Sequence, residues 1–216
     1  MMAQRILYEK IDKTKIANLP LAAFEGRIWV VDSITEAEKA VDFLRRQPLV
    51  GIDTETRPSF RRGVTYKVAL LQVSTEEICF LFRLNRIGLA SCLVQLLQDS
   101  AVRKVGLSLR DDFQRLRELV DLQVDNYVDL QQLAAQMGLK DMSLQKLFAN
   151  FFGRKISKRQ RLSNWESDVL TDSQKKYAAT DAWACIELYK EMQQLLQTHD
   201  YRLVCQYTTD ECYIQQ

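Results

Sequence analysis

Histidine is almost absent from this sequence, in which His199 is the single histidine among 216 residues. This scarcity argues against chemistry that needs a histidine base and against metal sites built from several histidines. With 7 glycines and 3 prolines, the chain has little of the composition of a long disordered linker. No apolar run reaches about 18 residues, and residues 1–10 lack the pattern of a signal peptide. We therefore expect no membrane partner.

The cysteines are also few and unpatterned. Their number is odd, and no two stand in a C-x-x-C pair: they are Cys79, Cys92, Cys185, Cys205 and Cys212. This usage favours neither a zinc site nor a disulfide framework. It is typical of a reducing compartment, so we expect a cytoplasmic protein.

The charge balance limits how the chain can bind a polyanion. The net charge is +2, with 27% charged and 47% hydrophobic residues. A protein that binds nucleic acid by bulk charge is usually more basic, so binding here would need a local basic surface. The length suits one domain with a small addition, and we expect residues 1–26 to be an extension packing on a domain over residues 27–216.

The order of hydrophobic patterns predicts a mixed α/β fold, with helices around a mixed sheet. Three strand-like runs with short connections, 49–53, 67–74 and 78–84, indicate antiparallel pairing. A strand at 27–31 precedes them, and helix–strand alternation follows, with short strands at 103–106 and near 127–130. Thr171 and Gln174 form a capping box that begins a last helix ending near Leu196.

Two pairs of polar residues share a face. Asp53 and Glu55, two apart in a strand, point to the same side of the sheet. Tyr177 and Asp181, four apart on the last helix, lie on one helical face. Taken alone, the first pair equally suits a solvated strand end, and the second an ordinary amphipathic helix.

A further carboxylate lies near the start of the helix after residues 103–106. Asp112 lies nearer than Asp111 to the apolar stripe of that helix, so Asp112 is the better candidate for a pocket and Asp111 for solvent. Such a set of carboxylates suits two-metal catalysis, because hard divalent cations prefer carboxylate oxygens and water. The near absence of histidine agrees with this.

Three segments, in this order, resemble the motifs of the DEDD superfamily of 3′→5′ exonucleases: Val50–Glu55 (VGIDTE), Val105–Leu116 (VGLSLRDDFQRL) and Tyr177–Ala182 (YAATDA). Tyr177 resembles the tyrosine that marks one branch of this superfamily. The other branch has a histidine five residues before the last aspartate, and that position here is Lys176. The stretch from Leu162 to Trp183 is similar to the Werner syndrome exonuclease domain and, less closely, to ribonuclease D. The resemblance covers residues 27–196 and implies a ribonuclease H-like fold. In one departure, Ser108 stands where many members have asparagine.

The resemblance also implies site roles. Asp53 would bridge two divalent ions, Mg²⁺ or Mn²⁺. Glu55 and Asp181 would complete one metal site, and Asp112 would hold the second ion. Tyr177 would orient the attacking water, and the product would be a nucleoside 5′-monophosphate.

A basic cluster precedes the last motif and is a candidate nucleic-acid contact: Arg154, Lys155, Lys158, Arg159 and Arg161. A second basic–aromatic stretch, residues 60–62, lies near Tyr66. Basic side chains suit phosphates and aromatic rings can stack bases. For any single residue of the cluster, a solvated surface is the simpler interpretation. The expected partner is a single-stranded or 3′-terminal nucleic acid, and no obligate protein partner is evident.

Three alternatives stay open at the level of sequence. The Werner-like region mildly favours DNA, but an RNA 3′-end trimmer like ribonuclease D has the same catalytic set. An inactive nucleic-acid-binding module would be expected to lack a carboxylate or the tyrosine, and neither is missing. A purely structural domain leaves the joint occurrence of these residues unexplained.

Overall fold

The computed structural model describes residues 4–205, so Cys212 and part of each terminal segment lie outside the described residues. Ten strands occur in this range: β1 (Arg5–Tyr8), β2 (Leu21–Ala22), β3 (Arg27–Val31), β4 (Leu49–Thr56), β5 (Val68–Ser74), β6 (Ile78–Phe82), β7 (Arg103–Gly106), β8 (Tyr127–Asp129), β9 (Lys155–Ile156) and β10 (Tyr201–Val204). Eight helices accompany them: α1 (Lys13–Ala17), α2 (Ile34–Leu44), α3 (Leu84–Ile87), α4 (Ser91–Gln98), α5 (Leu109–Arg117), α6 (Leu130–Gln136), α7 (Leu144–Phe152) and α8 (Asp172–Thr198).

A six-stranded mixed sheet forms the centre of the fold, in the order β3-β6-β5-β4-β7-β8. Strand β5 pairs antiparallel with both β4 and β6, which confirms the expectation drawn from their short connections. The β3–β6, β4–β7 and β7–β8 pairs are parallel, as connections through helices require. The predicted mixed α/β class is therefore confirmed.

Helix α8 is the longest helix and packs across β4, β5 and β6. Its predicted capping box is present: the Thr171 side chain accepts from the Gln174 backbone N–H, and the Gln174 side chain accepts from the Thr171 backbone N–H. It ends at Thr198, two residues beyond the predicted end. Among residues 4–205, no helix combines the length and apolar character needed to cross a membrane.

Close contact between α8 and β4 depends on Gly51. A Cβ at this position would lie 2.0 Å from the carbonyl oxygen of Ala182 and 2.9 Å from Cγ1 of Ile186. The missing side chain thus lets the helix backbone approach the strand directly. Because Gly51 precedes Asp53 by two residues on the same face, this approach brings α8 beside the carboxylate end of β4.

Residues 4–26 lie outside the central sheet and pair with two other short strands. Strand β1 runs parallel to β10, and β2 runs parallel to β9. Tyr8 and Asn150 exchange two hydrogen bonds, in which the Tyr8 N–H donates to Oδ1 (3.0 Å) and Nδ2 donates to the Tyr8 carbonyl (2.7 Å). The backbone N–H of Ile11 donates to the buried carboxylate of Asp141 at 2.7 Å. These contacts attach the N-terminal segment to α7 and to the loop before it.

Replacing Gly51 by alanine tests the close approach of α8. We expect Gly51→Ala to lower the free energy of unfolding by about 1–3 kcal/mol, because the added methyl group has to displace backbone rather than a flexible side chain. Urea denaturation followed by circular dichroism measures this change. A variant with unchanged stability would contradict the tight contact between β4 and α8.

Candidate metal centre

Three carboxylates converge where β4 meets α8. Asp53 and Glu55 point to the same face of β4, and Asp181 lies on the helix that packs against that face. One oxygen from each of the three lies within 4.8 Å of the others. Residues 128 positions apart in sequence are thus brought together by the β4–α8 contact.

A fourth carboxylate adjoins this group at the start of α5. Asp112 accepts a hydrogen bond from the Thr54 hydroxyl, which fixes its position beside β4. Its negative charge raises the pKa of both Asp53 and Glu55. Asp111 is exposed whereas Asp112 is half-buried, as the apolar stripe of the helix predicted.

The start of α5 has an unusual backbone. Ser108 is the N-cap and adopts the left-handed region, with φ 63° and ψ 34°. Asparagine tolerates this region better than most residues, and serine occupies it here. Here the buried Asp129 carboxylate accepts from the backbone N–H groups of Ser108 (3.0 Å) and Leu109 (2.9 Å). An anion at a helix N-terminus is stabilising, so Asp129 helps to fix the helix that carries Asp112.

Burial and mutual repulsion perturb the two carboxyls of β4. Burial raises the pKa of Asp53 well above its usual range, and the charges of Asp112, Asp181 and Glu55 raise it further. Burial likewise raises the pKa of Glu55 to about 9, together with the charges of Asp181 and Asp112, while Arg161 opposes the shift.

The other two carboxyls are shifted less. Burial raises the pKa of Asp181 to about 7, against the opposing effects of a hydrogen bond from Tyr177 and of the Lys158 charge. Burial raises the pKa of Asp112 to about 6, although Thr54 stabilises its charged form. Buried acids that repel one another lower their free energy either by binding protons or by binding a cation.

The chemistry of this group fits a hard divalent cation. Its ligand atoms are all carboxylate oxygens, the donors that Mg²⁺ and Mn²⁺ prefer. A bound cation would also offset the repulsion that adds to burial in raising the pKa values of Asp53 and Glu55. The geometry therefore forms an oxygen-rich acidic cluster at the end of β4 that is compatible with binding a divalent cation.

Tyr177 lies one helical turn before Asp181 and is 9% exposed. Its ring packs against the fully buried Trp165, with centroids 6.0 Å apart. Burial and the charges of Asp181 and Glu55 raise the pKa of its hydroxyl above the usual range. The hydroxyl is therefore neutral at physiological pH and can donate a hydrogen bond at the centre.

The predicted basic cluster divides into two parts. Arg154 donates to the carbonyl of Leu21 at 2.9 Å, and Lys155 donates to the carbonyl of Ala17, so both contact the N-terminal segment. Lys158 and Arg161 instead act on the carboxylates, lowering the pKa of Asp181 and of Glu55 respectively. Arg159 lines two neighbouring grooves, one of which contains Tyr177.

Three residues around the centre were not predicted. Thr54 and Asp129 position Asp112, as described above, and Gln72 pairs directly with Asp53 across β5 and β4. Gln72 is fully buried, and within residues 4–205 neither of its amide atoms has a hydrogen-bond partner. Its sequence signal is a lone amide inside the otherwise apolar strand β5.

Comparison with known proteins identifies the family. The sequence model of the 3′–5′ exonuclease family matches residues 28–197. A 3′–5′ exonuclease of Arabidopsis thaliana is 33% identical over 201 residues, covering 86% of this chain and 70% of the plant protein. The chain belongs to the 3′–5′ exonuclease family, which confirms the resemblance based on the motifs.

Other relatives are longer than this chain. The bifunctional 3′–5′ exonuclease/ATP-dependent helicase WRN of Mus musculus is 29% identical over 82% of this chain, which spans only 13% of that protein.

Solved structures share the fold. The Aedes aegypti Nibbler EXO domain superposes with a TM-score of 0.74 at 21% identity, covering 84% of this chain and 94% of that one. Escherichia coli RNase D gives a TM-score of 0.69 at 20% identity, covering 82% and 52% of the two chains. The expected ribonuclease H-like fold is therefore confirmed.

The raised pKa values predict how pH affects the metal-free protein. Because the folded state binds protons more tightly than the unfolded chain, the stability from these groups is fully present at low pH. It is lost as pH rises from about 4.5 to about 9, the ordinary and folded values for Glu55. We expect the thermal midpoint in EDTA to fall over this interval.

In the Glu55→Gln variant, the thermal midpoint in EDTA should fall less steeply with pH, because the amide does not ionise. Asp111→Asn, which removes a neighbouring exposed carboxylate, is the matched control and should keep the wild-type slope. The thermal midpoints are measured by scanning calorimetry from pH 5 to pH 9. An equal change of midpoint with pH in the wild type and in Glu55→Gln would contradict the prediction.

Proposed function

We propose that this chain hydrolyses the terminal phosphodiester of a nucleic acid strand at its 3′ end, using two divalent ions, Mg²⁺ or Mn²⁺, and releasing nucleoside 5′-monophosphates. The observation that carries the proposal is the convergence of Asp53, Glu55 and Asp181 within 4.8 Å, with Tyr177 on the same helical face as Asp181. Membership of the exonuclease family supports the same conclusion.

Each acidic residue takes a separate part in holding the ions. Asp53, central and flanked by the other acids, would bind both. Glu55 and Asp181 would complete one site, while Asp112, outside the group of three and held by Thr54, would serve the second through water. When bound, divalent ions promote deprotonation of a water molecule and stabilise charge on the leaving 3′ oxygen.

Tyr177 would orient the attacking water by hydrogen bonding. Because its pKa is raised, the hydroxyl stays protonated and does not act as a base. The attack forms a bond from the water oxygen to the terminal phosphorus and breaks the bond from phosphorus to the 3′ oxygen of the preceding nucleotide. The attacking water gives its proton to solvent, and the leaving 3′ oxygen takes a proton from solvent, so the shortened strand ends in a 3′ hydroxyl.

The basic residues support a strand as substrate. Lys158 and Arg161 act electrostatically on Asp181 and Glu55, and Arg159 lines the groove that contains Tyr177; all three carry charge that complements phosphates. Arg154 and Lys155, although part of the predicted cluster, contact main-chain carbonyls of residues 17–21 and would contribute mainly by fixing the segment.

The proposal has two versions, which differ in whether the substrate strand is DNA or RNA. We favour DNA, because the stretch from Leu162 to Trp183 is similar to the Werner syndrome exonuclease domain, and the exonuclease/helicase WRN of Mus musculus matches 82% of the chain. The alternative is RNA 3′-end trimming, which the likeness to a Trypanosoma brucei RNase D solved in complex with RNA U12 favours (18% identity, TM-score 0.69).

Hydrolysis of matched 5′-labelled DNA and RNA single strands tests the proposal. With Mg²⁺ or Mn²⁺ we expect a ladder that shortens from the 3′ end and stops in EDTA. Asp53→Asn should lower the rate by about 10²-fold or more, because it removes a charged ligand of the transition-state ions. The relative rates on DNA and RNA decide between the two versions.

Asp111→Asn is the matched control, since it neutralises the adjacent exposed acid and should keep most of the rate. Full metal-dependent hydrolysis by Asp53→Asn would refute the assignment of Asp53. Strand binding without cleavage by the wild type would instead favour an inactive binding module.

A further inference from the structure

The N-terminal segment forms one wall of a groove that begins beside the metal centre. Helix α1 is held against α7 through Ile16, which is buried with Ile11 and Ala149, and β2 is held by pairing with β9. Helix α1 and β2 lie before position 28, where the match to the exonuclease family begins. The wall therefore lies outside the residues that the family model matches.

The groove has a volume of about 590 Å³ and is lined by positive and apolar side chains. No carboxylate is among the described residues that line it. Its cationic residues come from α1, α7 and the segment at β9: Lys13, Lys146, Lys155, Lys158 and Arg159. Two of the five have other contacts, since Lys146 pairs with Asp141 and Lys155 donates to a main-chain carbonyl. Lys13, Lys158 and Arg159 thus carry most of the charge offered to a ligand.

Lys158 lines the groove and lies within electrostatic range of Asp181, as well as of Lys13 and Lys146. Arg159 lines both this groove and the neighbouring one that contains Tyr177. A chain of positive side chains therefore leads from the carboxylates to α1.

Another groove, near the start of α5, differs in charge. It is lined by Arg57, Arg115 and Arg161 but also by Asp111 and Glu118. A polyanion several nucleotides long therefore favours the groove whose described lining residues include no carboxylate. The apolar side chains of Ile16, Leu21 and Ile156 add surface against which sugars and bases can pack.

We propose that the groove between α1, α7 and β9 binds the single strand upstream of the scissile bond, with Lys13 contacting a backbone phosphate. The N-terminal segment is then part of the substrate site. This inference rests on the proposed exonuclease function, and it predicts that the segment matters for long strands but not for the shortest substrate.

Charge reversal at Lys13 tests the proposal. Lys13→Glu should raise KM for a labelled 12-nucleotide single strand by roughly fivefold or more, leave kcat nearly unchanged, and reduce the salt dependence of kcat/KM. Hydrolysis of a dinucleotide, which does not reach α1, should be unaffected. Lys15→Glu is the matched control: it lies on the same helix with its ammonium over the Tyr8 ring (5.2 Å), and it should behave as wild type on both substrates.

Binding of the fluorescent 12-nucleotide strand in EDTA, measured by anisotropy, separates this inference from the proposed function. Weaker binding by Lys13→Glu than by Lys15→Glu supports the groove even if no strand is hydrolysed, in which case the exonuclease proposal alone fails. The inference is overturned if both variants bind alike, or if Lys13→Glu slows dinucleotide hydrolysis as much as that of the long strand.

Discussion

Crowding of carboxylates with little access to water is the constraint on which this structure depends. The half-buried Asp53 and Glu55 and the buried Asp181 lie between β4 and α8 with their oxygens within 4.8 Å of one another. Such an arrangement costs free energy in the metal-free protein, and burial together with mutual repulsion raises the pKa values of Asp53 and Glu55. The fold sustains it through the hydrophobic contact of α8 with the sheet, which the absence of a side chain at Gly51 makes possible.

Neighbouring side chains stabilise and position the same carboxylates. Lys158 and Arg161 stabilise the ionised forms of Asp181 and Glu55, and Thr54 holds Asp112. The segment that carries these two basic residues begins at β9, whose pairing with β2 ties it to the N-terminal segment. The N-terminal segment thereby helps to hold the segment that carries Lys158.

Local patterns in the sequence predicted much of the fold and the composition of the centre. Alternation and turn spacing predicted the antiparallel pairing of β4, β5 and β6, and the capping box at Thr171 predicted the start of α8. The motif residues predicted which carboxylates the structure brings together. The roles assigned to these residues remain predictions that depend on the proposed experiments.

Features that depend on distant backbone could not be predicted. The two-residue strands β2 and β9 have no pattern of their own and exist because residues 134 positions apart pair, as Leu21 does with Lys155. For the same reason, the sequence did not reveal that Arg154 and Lys155 donate to carbonyls of the N-terminal segment. The capping of α5 by Asp129 also joins two elements that only the sheet order places side by side.

Direct measurement of metal binding tests the central claim, that the buried carboxylates form a divalent-cation site. Titration of the metal-free protein with Mn²⁺ in a calorimeter should give saturable binding, with two ions per chain in the proposed arrangement. Asp53→Asn should abolish or greatly weaken this binding, while Asp111→Asn should retain it. Absence of saturable binding to the wild type, or equal binding by Asp53→Asn, would contradict the account.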